Sequence, residues 1–162
     1  IGEIGIDLYW DKTFFEQQKK SFLTQVEWAI DLKLPIVIHC RESIDIVIDL
    51  LQPYKGKVKG IFHCFGGTLE QAKKIMDLGF LMGIGGVLTF KKAKLDTVLQ
   101  EIPMEYLVLE TDSPYLAPTP YRGKRNESGY VKIVAEKMAE AKKITLEEVA
   151  KATSYNALNL FE

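Results

Sequence analysis

Histidine and cysteine are scarce in this sequence, with two of each in 162 residues. Two cysteines, Cys40 and Cys64, are too few for a disulfide framework, which leaves the fold to its apolar core. No uninterrupted apolar run reaches the roughly 18 residues of a membrane span, and no signal-peptide pattern is present. Those absences predict a soluble, cytoplasmic protein with no membrane partner. Neither sign of charge is in excess. The 21 basic and 22 acidic residues leave a formal net charge of -1, so bulk attraction to nucleic acid or to a membrane is excluded and any anionic partner must be met locally. No Gly-rich phosphate fingerprint follows any apolar run, which counts against a nucleotide-binding open sheet. The sequence also lacks an initiator Met. Ile1 opens directly into "IGEIGID", which reads as the inside of a strand and predicts a fragment of a longer chain.

What is present is a repeat. Hydrophobic residues make up 47% of the chain, enough for one sizeable core, and a single domain over residues 1–162 is expected. Five short runs rich in branched apolar residues, "IGEIGI", "PIVIH", "VKGIFH", "FLMGIG" and "YLVLET", are each followed by a loop and then by a segment of helical period. Ile44, Val47, Ile48 and Leu51 share one helical stripe behind Ser43 in the N-cap position. Thr68 and Gln71 form a capping box for a helix that packs through Ala72, Ile75 and Met76 and stops at Gly79. Longer helices are expected at about residues 13–33, where Phe15, Phe22, Val26 and Ile30 share a face, and at about 130–142. Two short helices should finish the chain, one boxed by Thr145 and Glu148, the other capped by Ser154 and burying Leu158 and Phe161.

Successive βα units imply a parallel sheet with right-handed crossovers, either doubly wound or closed as a barrel. Periodicity cannot choose, but the missing phosphate fingerprint favours the barrel. An eight-stranded barrel needs about 250 residues, so the expected fold class is α/β, a TIM-type (β/α) barrel that is incomplete, with about five of eight βα units. Missing units would leave strand edges and apolar lumen residues bare, which predicts self-association or pairing with an absent amino-terminal segment.

In either architecture the site lies at the carboxyl ends of the strands. The unusual polar residues gather there. Glu3 lies in the first run, His39 and His63 end the second and third, and Glu110 and Asp112 end the fifth, where alternation puts both acids on one side. A single buried histidine reads more simply as a hydrogen-bonded core residue. Two at matching strand ends, accompanied by acids, favour zinc, manganese or a similar divalent ion. Alternation turns Cys40 and Cys64 away from that site, as reduced core residues. The loop "APTPYRGKRNESGY" carries Arg122, Lys124 and Arg125, with Tyr115, Tyr121 and Tyr130 nearby. It reads either as a solvated face or as a phosphate contact beside the metals. Lys91, Lys92 and Lys94 add a weaker basic signal.

The motifs "GEIGID", "PIVIHCRES", "FHCFGG", "VLETDSPYLAP" and "RGKRNE", in this order, resemble the TatD-type metal-dependent deoxyribonucleases of the amidohydrolase superfamily. The resemblance covers essentially the whole chain. It implies a TIM-type barrel that hydrolyses DNA phosphodiester bonds with divalent metal ions, two in the complete protein, whether Mg, Mn or Zn. It assigns Glu3 as the bridging, catalytic ligand, His39 and His63 to the second metal, and Asp112, also catalytic, to the first. Glu110 and Arg41 match supporting polar positions, Arg41 on the substrate side, and Arg122, Lys124, Arg125 and Asn126 match the loop that meets DNA. Departures are the absence of the family's opening His-x-His pair, Gly66 where serine is usual, and Ser128 where proline is usual. The competing expectations are a hydrolase of small amides or esters, and an inactive barrel fragment without the missing ligands.

Overall fold

Branched apolar side chains suit a pleated, half-buried surface, and the five runs rich in them become the five strands. A computed structural model describes residues 1–162, with β1 (Ile4–Asp7), β2 (Ile36–Arg41), β3 (Gly60–Phe62), β4 (Leu81–Ile84) and β5 (Leu107–Leu109). Every pairing is parallel, and the order across the sheet is the order along the chain. That order separates the two architectures left open by periodicity. A doubly wound sheet reverses at a switch point; this one never does, so its βα units step round in one direction as in a TIM-type barrel. β1 and β5 each keep one unpaired edge.

The two-residue period of the strands makes two unlike faces. Ile4, Ile6, Ile36, Ile38, Phe62, Met82 and Ile84 point to one side, where they join the helices in a buried cluster of 30 residues. Gly5, Asp7, His39, Arg41 and Gly83 alternate with them and belong to the other. Gly5 sits opposite His39, and any Cβ there would run into the His39 backbone. Close approach of β1 to β2 therefore depends on glycine at this position.

The helices follow their apolar stripes. Helix α1 (Phe15–Leu32) buries Phe22, Val26 and Ala29, and α2 (Ile44–Leu51) buries Val47, Ile48 and Leu51. Helix α3 (Leu69–Asp77) opens with both bonds of the Thr68–Gln71 capping box, and Gly79 follows its end at φ +81. Helix α4 (Leu95–Glu101) is too short for its stripe to stand out in sequence; it buries only Leu95 and Leu99. Helices α5 (Val131–Lys142) and α6 (Leu146–Phe161) complete the chain. No helix is long and apolar enough to cross a membrane.

Two local expectations are corrected. Ser43 occupies the N-cap of α2 but does not cap it; its buried hydroxyl donates to the Ile6 carbonyl at 2.5 Å, tying α2 to β1. A buried hydroxyl has to find a partner, and the strand carbonyl is the one within reach. The two short terminal helices are a single one, α6, because nothing between Leu146 and Phe161 is Gly or Pro and the Thr145–Glu148 capping box starts all of it. Its buried stripe is Val149, Thr153, Asn156 and Leu160, while Leu158 and Phe161 are exposed.

This single helix changes the state of the second sheet face. Leu160 packs on Ile61 and Val108, each one pleat before His63 and Glu110, so those lumen-side residues are buried rather than bare. Asn156 locks the helix in place by donating to the carbonyls of Met104 and Leu107, both at 2.8 Å. Replacing Leu160 with Ala should cost about 2–5 kcal/mol, the usual range for a truncated buried leucine, measured as a shift in the urea midpoint. An unchanged midpoint would mean that α6 does not seal this face.

Candidate metal centre

Residues two apart on a strand share a face, and parallel neighbours in register bring those faces together. β1 and β2 thus set Glu3, Asp7 and His39 side by side, and β3 adds His63 at its carboxyl end. Glu3, His39 and His63 each offer one ligand atom to a common point. Glu3 Oε2 lies 3.7 Å from His39 Nδ1 and 3.5 Å from His63 Nε2, and the two nitrogens are 3.4 Å apart. A tetrahedral ion with bonds of about 2.1 Å holds its ligands roughly 3.4 Å from one another, so the three atoms are spaced as three corners of such a site.

The outer nitrogens explain why the inner ones face each other. His39 Nε2 is 3.1 Å from Asp7 Oδ2, and His63 Nδ1 is 3.4 Å from Glu110 Oε1. A carboxylate accepts and cannot donate, so each outer nitrogen carries the proton and each inner nitrogen presents a lone pair. Two lone pairs 3.4 Å apart repel unless positive charge, a proton or a cation, lies between them. The donor set of two imidazoles and a carboxylate suits zinc or manganese.

Titration shifts show the same crowding of charge. Burial lowers the His63 pKa, but the bonded Glu110 carboxylate, with Glu3 and Asp112 behind it, outweighs burial and raises it overall. Asp112 is raised by burial and by the Glu110 and Glu3 carboxylates, against the pull of His63. Burial also pushes Asp7 upward, but the Tyr9 N–H, His39 and Arg41 together hold it below the usual carboxylate value. The Cys40 and Cys64 thiols are pushed up to about 12, first by burial. Both are free cysteines whose thiols stay protonated at neutral pH.

Asp112 arrives by a route that alternation does not describe. β5 ends at Leu109, and Asp112 has a left-handed backbone at φ 55. It stands near enough to His63 and Glu110 to couple with their charges, but outside the three-atom cluster. Glu110 reaches His63 because Gly83 leaves room: a Cβ on Gly83 would overlap the Glu110 carboxylate and come within 3.3 Å of His63 Cα. The Cys64 N–H holds the same Glu110 oxygen at 2.8 Å.

The basic candidates are exposed, Arg41 as the last residue of β2 and Arg122, Lys124 and Arg125 on the loop beyond β5. The Arg41 guanidinium sits 3.7 Å over the Tyr9 ring, and that of Arg122 sits 3.9 Å over Phe90. Tyr121 and Tyr130 stack with ring centroids 4.4 Å apart. Lys124 and Arg125 are exposed, and Asn126 is not. The Asn126 amide donates to the carbonyls of Thr111 and Tyr115, both at 2.6 Å, and its oxygen accepts the Glu127 N–H. Its side chain is spent on holding the loop, which corrects the expectation that it reaches substrate.

Across its full length, residues 1–162, the sequence matches the profile of the TatD related DNase family. The chain belongs to the TatD family. It is 46% identical to an uncharacterized metal-dependent hydrolase, YabD, of Bacillus subtilis, covering 99% of this chain and 64% of that protein. It is 37% identical to another, YcfH of Escherichia coli, covering 99% and 62%. The crystal structure of YjjV, a TatD homologue from Escherichia coli, superposes with a TM-score of 0.93 at 31% identity, over 99% of this chain and 62% of that one. A TatD family hydrolase from Entamoeba histolytica superposes with a TM-score of 0.84 at 28% identity. The chain thus spans just under two thirds of the length of these relatives, the share that five of eight βα units would make.

Asp7 is the residue of this TatD chain that sequence reading missed. The signal was available: it follows Glu3 by four residues in the first apolar run, and a two-residue period puts both on one face. Adding zinc or manganese at about 100 times its dissociation constant should stabilise the chain by about 2.7 kcal/mol, read in a urea melt, and His63→Ala should abolish that gain. Gly83→Ala should displace Glu110 and weaken metal binding by about 10–100-fold; unchanged affinity would separate Glu110 from the site.

Proposed function

We propose that the protein to which this chain belongs is a metal-dependent hydrolase that cleaves phosphodiester bonds of DNA. The observation that carries this reading is the trio Glu3, His39 and His63, whose ligand atoms converge on one point on the polar side of the sheet. Glu3, His39 and His63 would hold one divalent ion, with Asp112, which couples electrostatically to His63 and Glu3, as a carboxylate toward a second. Such ions supply Lewis-acid polarisation of the phosphoryl oxygen and an activated water. The residues of the chain do the rest by position. Half-exposed Glu3 stays accessible from solvent while the more enclosed His63 backs it.

The Arg41 and Arg122 guanidinium groups sit over aromatic rings, which orders them without using their donors, and each can then offer a planar fork to phosphate. Lys124 and Arg125 lie on the same loop as Arg122, which Asn126 pins. The near-neutral net charge of -1 makes this local clustering the source of attraction for a polyanion. The family description, TatD related DNase, supports DNA as the substrate.

The test is cleavage of DNA by the full-length protein with added magnesium or manganese. Glu3→Gln should lower the rate by at least the roughly 10²–10³-fold typical of losing one preorganised electrostatic group. Replacing Arg122, Lys124 and Arg125 together with Ala should weaken DNA binding across sequences and flatten its salt dependence by about one unit of slope per lost phosphate contact. An unchanged salt slope, with turnover of small esters or amides instead of DNA, would replace this reading by small-substrate hydrolysis.

A further inference from the structure

Asp7 makes four hydrogen-bonded contacts, and they divide cleanly. Its backbone N–H donates to Gln18 Oε1 at 2.8 Å and its carbonyl accepts from Gln18 Nε2 at 3.0 Å, so one side chain of α1 clamps the end of β1 from both sides. Its Oδ1 accepts the Tyr9 N–H at 2.9 Å, the local turn that aspartate commonly makes. Its Oδ2 is left over, and it faces His39 Nε2 at 3.1 Å.

An imidazole turns about its χ2 torsion with roughly two-fold preference, and a half-turn would put a carbon where His39 Nδ1 now meets Glu3 and His63. On the Nδ1 side the contacts that oppose that turn are long, 3.4 Å to His63 Nε2 and 3.7 Å to the half-exposed Glu3, against 3.1 Å to Asp7. Asp7 holds the ring from behind. His63 has the corresponding support from Glu110.

We propose that Asp7 is the positioning residue for His39: its Oδ2 accepts the Nε2–H and so aims the Nδ1 lone pair at the point shared with Glu3 and His63. Through its other oxygen the same carboxylate joins this ligand to the Tyr9–Trp10 segment, on whose Tyr9 ring Arg41 rests. The loop on which the Arg41 guanidinium rests and the ligand His39 therefore share one anchor. The proposal rests on the reading of Glu3, His39 and His63 as metal ligands.

Asp7→Ser tests it, because a serine hydroxyl can keep the turn to Tyr9 but is too short to reach His39. Zinc titration of the 162-residue chain against a chromophoric chelator should show affinity lowered by about 10–100-fold in Asp7→Ser, the usual effect of removing the carboxylate behind a ligating histidine. Asp7→Asn, which keeps an acceptor oxygen without the charge, should recover part of the loss. In the metal-free unsubstituted chain, proton NMR should show a His39 Nε2–H resonance protected from exchange. If that resonance is missing, or if Asp7→Ser binds zinc as tightly as the unsubstituted chain, Asp7 only shapes the turn and the proposal is overturned. If the unsubstituted chain and His63→Ala take up zinc alike, the ligand reading itself falls, and the positioning role with it.

Discussion

The rest of the site depends on the register of β1 against β2, in which Gly5 lies opposite His39. From that pairing Glu3 and Asp7, two residues to either side of Gly5, fall on the two edges of one imidazole: Glu3 at Nδ1 and Asp7 at Nε2. A slip of one residue would exchange faces. Ile4 and Ile6, now buried with the helices, would enter the polar side, and both carboxylates would be driven into the apolar core. The cost of that exchange specifies the register, since burying two unpaired carboxylates is far more unfavourable than leaving them at a half-open rim.

Behind this register stands a chain of charge that runs through both histidines, from Asp7 to His39, across the shared point to His63, and on to Glu110. Each histidine has one nitrogen committed to a carboxylate and the other turned inward. The arrangement concentrates negative charge around a point where only a cation or proton relieves it. Backbone strain lies close by. Glu42, Cys64 and Asp112 are non-glycine residues with positive φ just past the ends of β2, β3 and β5, a conformation that costs on the order of 1–3 kcal/mol each. At Cys64 a purpose is visible, since its N–H bonds Glu110. The opposite face, with its thirty-residue apolar cluster, supplies the stability that offsets such strain.

Much of the scaffold was written in local pattern. Period-two and period-3.6 apolar spacing located the strands and most helices, because burial of one face is decided residue by residue along an element. The Thr68 and Thr145 capping boxes were readable for the same reason: both partners sit within four residues. Ser43 was misread since its partner, the Ile6 carbonyl, is 37 residues away. Asn126 was misread likewise, because the carbonyls it serves lie 11 and 15 residues upstream.

The candidate ligands were legible as types at strand ends, but not their relations. By itself the sequence determined the strands and most helices, their parallel arrangement, and the gathering of Glu3, His39 and His63 among the polar residues of the strands, all consequences of short-range periodicity. Tertiary structure alone decided that the strands run in unbroken order, that Glu3, His39 and His63 meet while Asp112 stands aside, that Asp7 and Glu110 back the two histidines, and that Leu160 seals the sheet below them. Those outcomes depend on register and approach between segments tens of residues apart, and on where a strand gives way to a left-handed turn.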